Sequence, residues 1–311
     1  MIDHPDKRKI HNDPIPLLGG IAVFLGFMVG VFFYGNEFFL FKDLLVPLLA
    51  ATMLLVVGVA DDAGLLHPQI KLMVAMPVSG VILILLDLHL KLFSIPFLNY
   101  FFTLFWIVGI TAAYNLLDGM DGLSTGVCII ASFFYLTIGM MTGDRFLILF
   151  PLCLMGACLG FLIYNFHPAK IFLGDSGAIL LGFLLASMGL RVANNEAISP
   201  MIRWMIPVLI LCVPIFDTSL ITVSRLRRGL IPFLHPGKDH SHHRLFNLGL
   251  GQKKTVLLIY LLGTIGGLLS LLIYRFDPYR GYLVFIFILL AGLTLLYLFE
   301  KLPFERQESV Q

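Results

Sequence analysis

Apolar residues fill ten long stretches of this chain, and polar residues gather in the short connections between them. The stretches cover roughly residues 17–35, 44–60, 72–90, 95–116, 123–141, 146–165, 177–193, 203–223, 255–274 and 282–299. Each approaches the roughly 20 mostly apolar residues that a helix needs to cross a bilayer. Strand-length alternation bounded by turns is missing from the pattern. The expected fold is therefore an all-α polytopic membrane protein of about ten transmembrane helices, not a barrel. No internal repeat, soluble domain or disordered linker interrupts it, so residues 1–311 read as a single integral-membrane domain.

Composition agrees with the pattern. Of 311 residues, 59% are hydrophobic and 13% charged, and mean hydropathy is +0.94. Soluble domains carry roughly 25% charged residues. The formal net charge of +2 argues against nucleic acid as a partner. The four cysteines, Cys128, Cys153, Cys158 and Cys212, all lie inside apolar stretches and read as small buried hydrophobes. The first sixteen residues are polar and rich in charge, unlike a signal peptide.

Ten spans place alternate connections on alternate faces. One set comprises residues 1–16, 61–71, 117–122, 166–176, 224–254 and 300–311 and holds fourteen of the 21 Lys and Arg. The positive-inside rule assigns this set to the cytoplasm. Eight of the nine histidines fall in the same set, His89 being the exception. Separate polar fragments thus become one candidate site on one side of a membrane.

The chemistry of these fragments is distinctive. Asp61 and Asp62 follow directly on an apolar stretch, and adjacent carboxylates at a membrane boundary repel unless a cation or proton is near. Such acids are functional candidates by default, the alternative being a solvated helix cap. Asn115, Asp118 and Asp121 recur every third residue, which aligns them on one face of a helix. Asp175 stands in "FLGDSGA" just before a new span, where it is a metal-ligand candidate and also a good N-cap. Hard oxygen donors with few candidate soft ones point to Mg2+ or Mn2+, which bind through carboxylates and substrate phosphates. Residues 224–254 would supply phosphate donors from Arg225, Arg227, Arg228, Lys238, His240, His242, His243 and Arg244. Zinc is the alternative for the histidines. However, the HxHH spacing lacks the Glu of a zinc-protease helix, and no Cys or Glu lies in the loop.

Five ordered segments carry a resemblance over nearly the whole chain. "DHPDKRKIHNDPIPLLGG", "GVADDAGLLHPQIKL", "YNLLDGMDGLSTG", "FLGDSGA" and "HPGKDHSHHRL" together resemble the polyprenyl-phosphate N-acetylhexosamine-1-phosphate transferases. The HxHH form and "VPIFDTSLITVSRLRRG" are similar to the branch that uses UDP-GlcNAc. The resemblance implies transfer of GlcNAc-1-phosphate from UDP-GlcNAc, a UDP-N-acetylhexosamine, to undecaprenyl phosphate. UMP would leave, and a lipid-linked sugar for a cell-surface polysaccharide would form. It implies a multi-pass protein of the bacterial inner membrane with a cytoplasmic active site, among membrane lipids, and a homodimer. Family members commonly have eleven spans. This chain begins within the first motif, so the family's first helix is expected to be missing.

The resemblance also implies roles. Asp175 would hold Mg2+, with Asn115 or Asp118 completing the shell. Asp61 and Asp62 would serve the lipid phosphate and proton handling, and Lys71 is a phosphate partner or a snorkelling lysine. Asp121, with Lys9 and His11, would hold the uridine end. His240, His242, His243 and Arg244 would contact the diphosphate. Asp217 lies in an apolar span and either lines the site or pairs with Arg225. Asn165 and His167 read as polar end groups. Gly19 and Gly20 permit close helix packing or hold the first motif. Competing readings are the peptidoglycan-branch transferase that uses UDP-MurNAc-pentapeptide, a proton-coupled transporter, and a scaffold without chemistry. Transporters place charges near the midplane, whereas these sit at one face.

Overall fold

A computed structural model of the chain describes residues 1–3, 14–35, 41–66, 68–232 and 237–304. Each of the ten apolar stretches is mostly helical. They form α1 (Gly19–Gly35), α2 (Phe41–Asp62), α3 (Pro68–Ile70) continuing through Lys71–Ala75 into α4 (Met76–Leu85), and α5 (Pro96–Leu117). Next come α6 (Leu123–Thr142), α7 (Arg145–Asn165), α8 (Gly174–Ala193), α9 (Met205–Ile210) and α10 (Cys212–Arg227). The chain ends with α11 (Ser241–Leu245), which leads through Phe246–Leu250 into α12 (Gly251–Arg275), and α13 (Pro278–Glu300).

Among the described residues, seven helices are long and apolar enough to cross a membrane. The other three apolar stretches are helical but differ in form. Gly19–Tyr34 and Lys71–Leu85 are shorter, and the stretch through 205–227 breaks at Leu211 into α9 and α10. The protein is an all-α multi-pass membrane protein, with one addition that the hydropathy pattern did not reveal. Ile2–Asp3 (β1) pairs antiparallel with Ile15–Pro16 (β2). Two-residue strands carry too little alternation to register in sequence.

The bundle is organised around α8. Of its apolar window 94% is buried inside the protein, against 6% for α13. Small residues let neighbours reach its backbone. A Cβ on Gly20 would collide with Gly177, and one on Gly58 would strike Ser176. Van der Waals packing through small residues is a main source of helix association in lipid. Gly19 and Gly20 also donate their backbone N–H groups to the carbonyls of Phe172 (3.0 Å) and Leu173 (2.9 Å). The two sequence readings of these glycines therefore hold together. Phe172 in turn donates to Pro16 (3.0 Å), so the first motif is tied to the loop that launches α8. The cysteines are free thiols within helices; Cys128, Cys153 and Cys158 are buried and Cys212 partly so.

Candidate functional site

The polar ends of α2, α5 and α8 converge with the start of the Lys71 helix. The Lys71 ammonium donates to Asp61 Oδ2 (2.6 Å) and forms a second ion pair with Asp175 Oδ2. Asn115 Nδ2 donates to the other oxygen of Asp175 (2.8 Å). Residues 61, 71, 115 and 175 thus form one contiguous constellation. Its carboxylates face a cation that the chain itself supplies.

Asp62 does a different job from its neighbour. Its carboxylate accepts the backbone N–H of Asp175 (2.8 Å) and of Ser176 (3.1 Å). It therefore caps α8 from another helix and satisfies N–H groups that would otherwise lack partners. Gly174 makes room for this cap: its φ is +74°, and a Cβ there would lie 2.7 Å from Asp62 Oδ2. With the cap supplied by Asp62, Asp175 keeps its own carboxylate for Lys71 and Asn115. The cap reading of Asp175 does not hold.

The segment after α5 lies beside this cluster. Burial pushes the Asp118 carboxyl up to about 7, and the nearby carboxylates of Asp175, Asp62 and Asp121 add to the rise. Asp121 Oδ2 faces His167 Nδ1 at 2.8 Å and accepts the N–H of Ala169 (3.1 Å). Asn165, buried, accepts from Gly122 N–H (3.1 Å) and Thr125 Oγ1 (2.9 Å) and donates to the Ile171 carbonyl (3.0 Å). Asn165 and His167, read from sequence as end groups, staple the 166–173 loop to the start of α6. Nothing in their own sequence neighbourhood marks that role.

The histidine segment meets the loop after α5 at Gly119. His242 is fully buried, and a Cβ on Gly119 would collide with its Nε2. Gly119 is the residue between Asp118 and Met120, so the absence of a side chain there brings the two motifs together. Among the described residues, neither ring nitrogen of His242 has a hydrogen-bond partner. The ring centroids of His240 and His242 are 5.1 Å apart, and those of His242 and His243 4.4 Å. His240 Nδ1 faces Asp217 Oδ2 at 2.8 Å. Asp217, His240 and His242 form a group whose ligand atoms lie within 4.8 Å of one another.

A second ionic group anchors this segment. Asp239 is gripped by both Nε and Nη2 of Arg225 (3.0 and 2.7 Å) and also pairs with Arg228. Burial alone would raise the Asp239 carboxyl, but the two guanidinium groups outweigh it and hold the carboxyl down at about 2. Arg225 thus pairs with Asp239, and Asp217 pairs with His240, a partner the sequence reading did not consider. Arg244 is fully buried. Its guanidinium donates to the carbonyls of Asp239 (2.9 Å) and Phe299 (2.8 Å) and to Ser224 Oγ (3.0 Å). It also pairs with Glu300 (3.2 Å). In this arrangement Arg244 ties the histidine segment to the end of α13.

The fold therefore brings together Asp61, Asp62, Lys71, Asn115, Asp118 and Asp175, with Asp121 on the adjoining loop. It sets His240, His242 and His243 against Asp217. Lys9 and His11 lie outside the described residues.

Comparison with known proteins bears on what such a site does. Residues 44–193 match the profile of glycosyl transferase family 4. The chain is similar to the probable undecaprenyl-phosphate N-acetylglucosaminyl 1-phosphate transferase of Bacillus subtilis, at 35% identity over 85% of this chain and 75% of that protein. It is 31% identical to the decaprenyl-phosphate N-acetylglucosaminephosphotransferase of Mycobacterium tuberculosis (strain H37Rv), over 84% of this chain and 72% of that one. It is 29% identical to the undecaprenyl-phosphate alpha-N-acetylglucosaminyl 1-phosphate transferase of Thermotoga maritima, over 94% and 87%.

Proposed function

The chain belongs to glycosyl transferase family 4, and from that premise we propose that it transfers N-acetylglucosamine-1-phosphate from UDP-GlcNAc to undecaprenyl phosphate. The observation that carries the proposal is the Asp61–Lys71–Asp175–Asn115 constellation at one end of the bundle. Relatives similar over most of the chain are named for this transfer. The bias of Lys and Arg toward this face supports a cytoplasmic site in a bacterial inner membrane.

In the reaction, an oxygen of the lipid phosphate attacks the sugar-bound phosphorus of UDP-GlcNAc. The bond to the UMP oxygen breaks, and undecaprenyl-diphosphate-GlcNAc and UMP result. Such transfers need little covalent help; positioning and neutralisation of charge supply most of the rate. Opposed carboxylates around a cation suit a hard divalent ion. Asp175, with Asn115 and Asp118 beside it, would hold Mg2+. When bound, the ion would supply charge neutralisation on the diphosphate. The Asp217–His240–His242 group suits it less: it is nitrogen-rich, and all three of its residues are buried.

The chain's own residues share the rest. Lys71 neutralises phosphate charge at the acceptor side. Asp61 keeps Oδ1 to take a proton from the lipid phosphate, because Lys71 engages its Oδ2. His240, His242 and His243 meet the diphosphate, and Asp121 with the 166–173 loop borders the nucleotide. The site is assembled within one chain, so this reading needs no second copy.

The test is UMP release by the purified chain with undecaprenyl phosphate. UDP-GlcNAc, UDP-GalNAc and UDP-MurNAc-pentapeptide are offered in parallel, with Mg2+ or EDTA. Mg2+-dependent release with UDP-GlcNAc alone is the expected result. Release with the muramoyl pentapeptide alone would move the chain to the peptidoglycan branch. No release with any of the three would overturn the proposal.

A further inference from the structure

Asp217 is an acid inside an otherwise apolar stretch, and it is completely buried. Its Oδ1 accepts the backbone N–H of Ser241 (2.7 Å) and the Ser241 hydroxyl (2.6 Å). Its Oδ2 faces His240 Nδ1 at 2.8 Å. An ionised carboxylate only accepts, so the hydrogen between these two atoms belongs to His240 Nδ1. The partner of one imidazole nitrogen thereby settles what the other presents. Nε2 is left to meet a ligand, as a bare nitrogen or, once the ring is protonated, as a donor.

The same atoms suggest a metal site at first sight. A metal held between Asp217 and His240 would need a bare His240 Nδ1 and free lone pairs on Asp217 Oδ2. Instead the two atoms stand at hydrogen-bond distance, and Oδ1 already accepts two hydrogens. The cationic alternatives nearby are taken as well: Arg225 grips Asp239, and Arg244 reaches Ser224 and Glu300. His240, the ring that Asp217 meets at hydrogen-bond distance, is therefore the nearest group on which a balancing positive charge can form, ahead of His242 in the same group.

We infer that Asp217 is a positioning residue for the transfer reaction, committing His240 to the Nδ1-protonated tautomer and stabilising the positive charge His240 carries when its Nε2 meets a diphosphate oxygen. The identity of the anion rests on the transferase reading, whereas the tautomer rests on geometry alone. A carboxylate that orients a ligand-binding histidine from behind commonly accounts for about 10- to 100-fold in affinity or activity. Exchanging it for an amide favours the wrong tautomer, because the amide N–H then points at Nδ1.

The experiment uses the full chain in detergent with 15N-labelled histidine, the His240 signals being assigned by their loss in His240→Gln. In the wild type, His240 Nδ1 is expected to carry a proton, whatever the state of Nε2; a bare Nδ1 overturns the inference with no variant needed. In Asp217→Asn the tautomer should reverse. KM for UDP-GlcNAc should rise about 10- to 100-fold, with KM for undecaprenyl phosphate unchanged. Asp217→Glu should recover part of the loss. On a His240→Gln background, Asp217→Asn should add less than about twofold, as expected of groups acting through one another. A merely structural role predicts fewer active molecules at unchanged KM, and additive losses; either result overturns the inference. Should Asp217→Asn fail to fold, the wild-type tautomer decides alone. Absence of UMP release from the wild type would defeat the transferase reading and leave the tautomer measurement standing.

Discussion

Asp144 and Asp62 each hold the start of a helix, and they do so in different ways. On one face, Asp144 immediately precedes α7 and accepts the N–H groups of Phe146 (3.0 Å) and Leu147 (3.3 Å). Its other oxygen takes Arg191 Nε (2.7 Å) and Asn195 Nδ2 (3.3 Å). On the opposite face, α8 receives its cap from Asp62, which lies at the end of α2, 113 residues away from Asp175 in sequence. A local cap absorbs the acid that stands at the helix start. A cap delivered from elsewhere frees that acid: Asp175, in the first turn of α8, is turned to Lys71 and Asn115. The first arrangement builds a helix, and the second builds a helix together with a site.

The contrast breaks most visibly at Asp175. Asp175→Asn keeps the cap intact and removes the charge, so UMP release should fall by roughly a thousandfold or more. Retained thermal stability in the same sample would show that the loss is chemical. Near-normal turnover would return Asp175 to a structural role. Withdrawal of divalent ions by EDTA should abolish release and added Mg2+ should restore it, read in the same assay; indifference to EDTA would remove the metal from the site.

Lys71→Met tests the cation between the two carboxylates. Left facing each other without it, Asp61 and Asp175 should repel. We expect kcat/KM to fall by about 10²-fold, since one charged partner of the phosphates is lost with it. A KM for undecaprenyl phosphate that did not move would instead assign Lys71 to the donor side.

The pair of caps gives the smaller effects. Asp62→Asn should lose part of the cap, because one amide oxygen replaces the two carboxylate oxygens that accept from Asp175 and Ser176, whereas Asp62→Ala should cost about 1–2 kcal/mol and disturb Asp175 with it. An equal loss of activity in both variants at unchanged stability would assign Asp62 a chemical role beyond capping. Asp144→Ala should lower the thermal midpoint by the equivalent of about 1 kcal/mol and leave turnover within about twofold. Strong loss of turnover there would mean that the two faces are coupled.

Much of this was legible in the chain because hydropathy and parity are properties of the sequence itself. The ten apolar stretches gave the helices, since a backbone in lipid must satisfy its own hydrogen bonds. The alternation of connections is enough to gather Asp61, Asn115, Asp175 and eight of the nine histidines on one face. Span form was less legible. The break at Leu211 and the short Lys71–Leu85 helix depend on packing partners and not on mean hydropathy.

Roles within the motifs were the least legible part. Adjacent Asp61 and Asp62 are chemically identical in sequence, yet one meets an ammonium group and the other a helix N-terminus. Arg225 and Asp217 sit two turns apart on α10, yet each found its partner in the histidine segment, at Asp239 and His240. Local spacing states which residues can meet along one helix. It carries no term for a helix that arrives from a hundred residues away. The sequence by itself determined that this is a membrane-embedded bundle with an acidic and histidine-rich face. Tertiary structure alone decided which carboxylate caps, which binds and which orients a histidine, because those roles follow from the nearest donor in space.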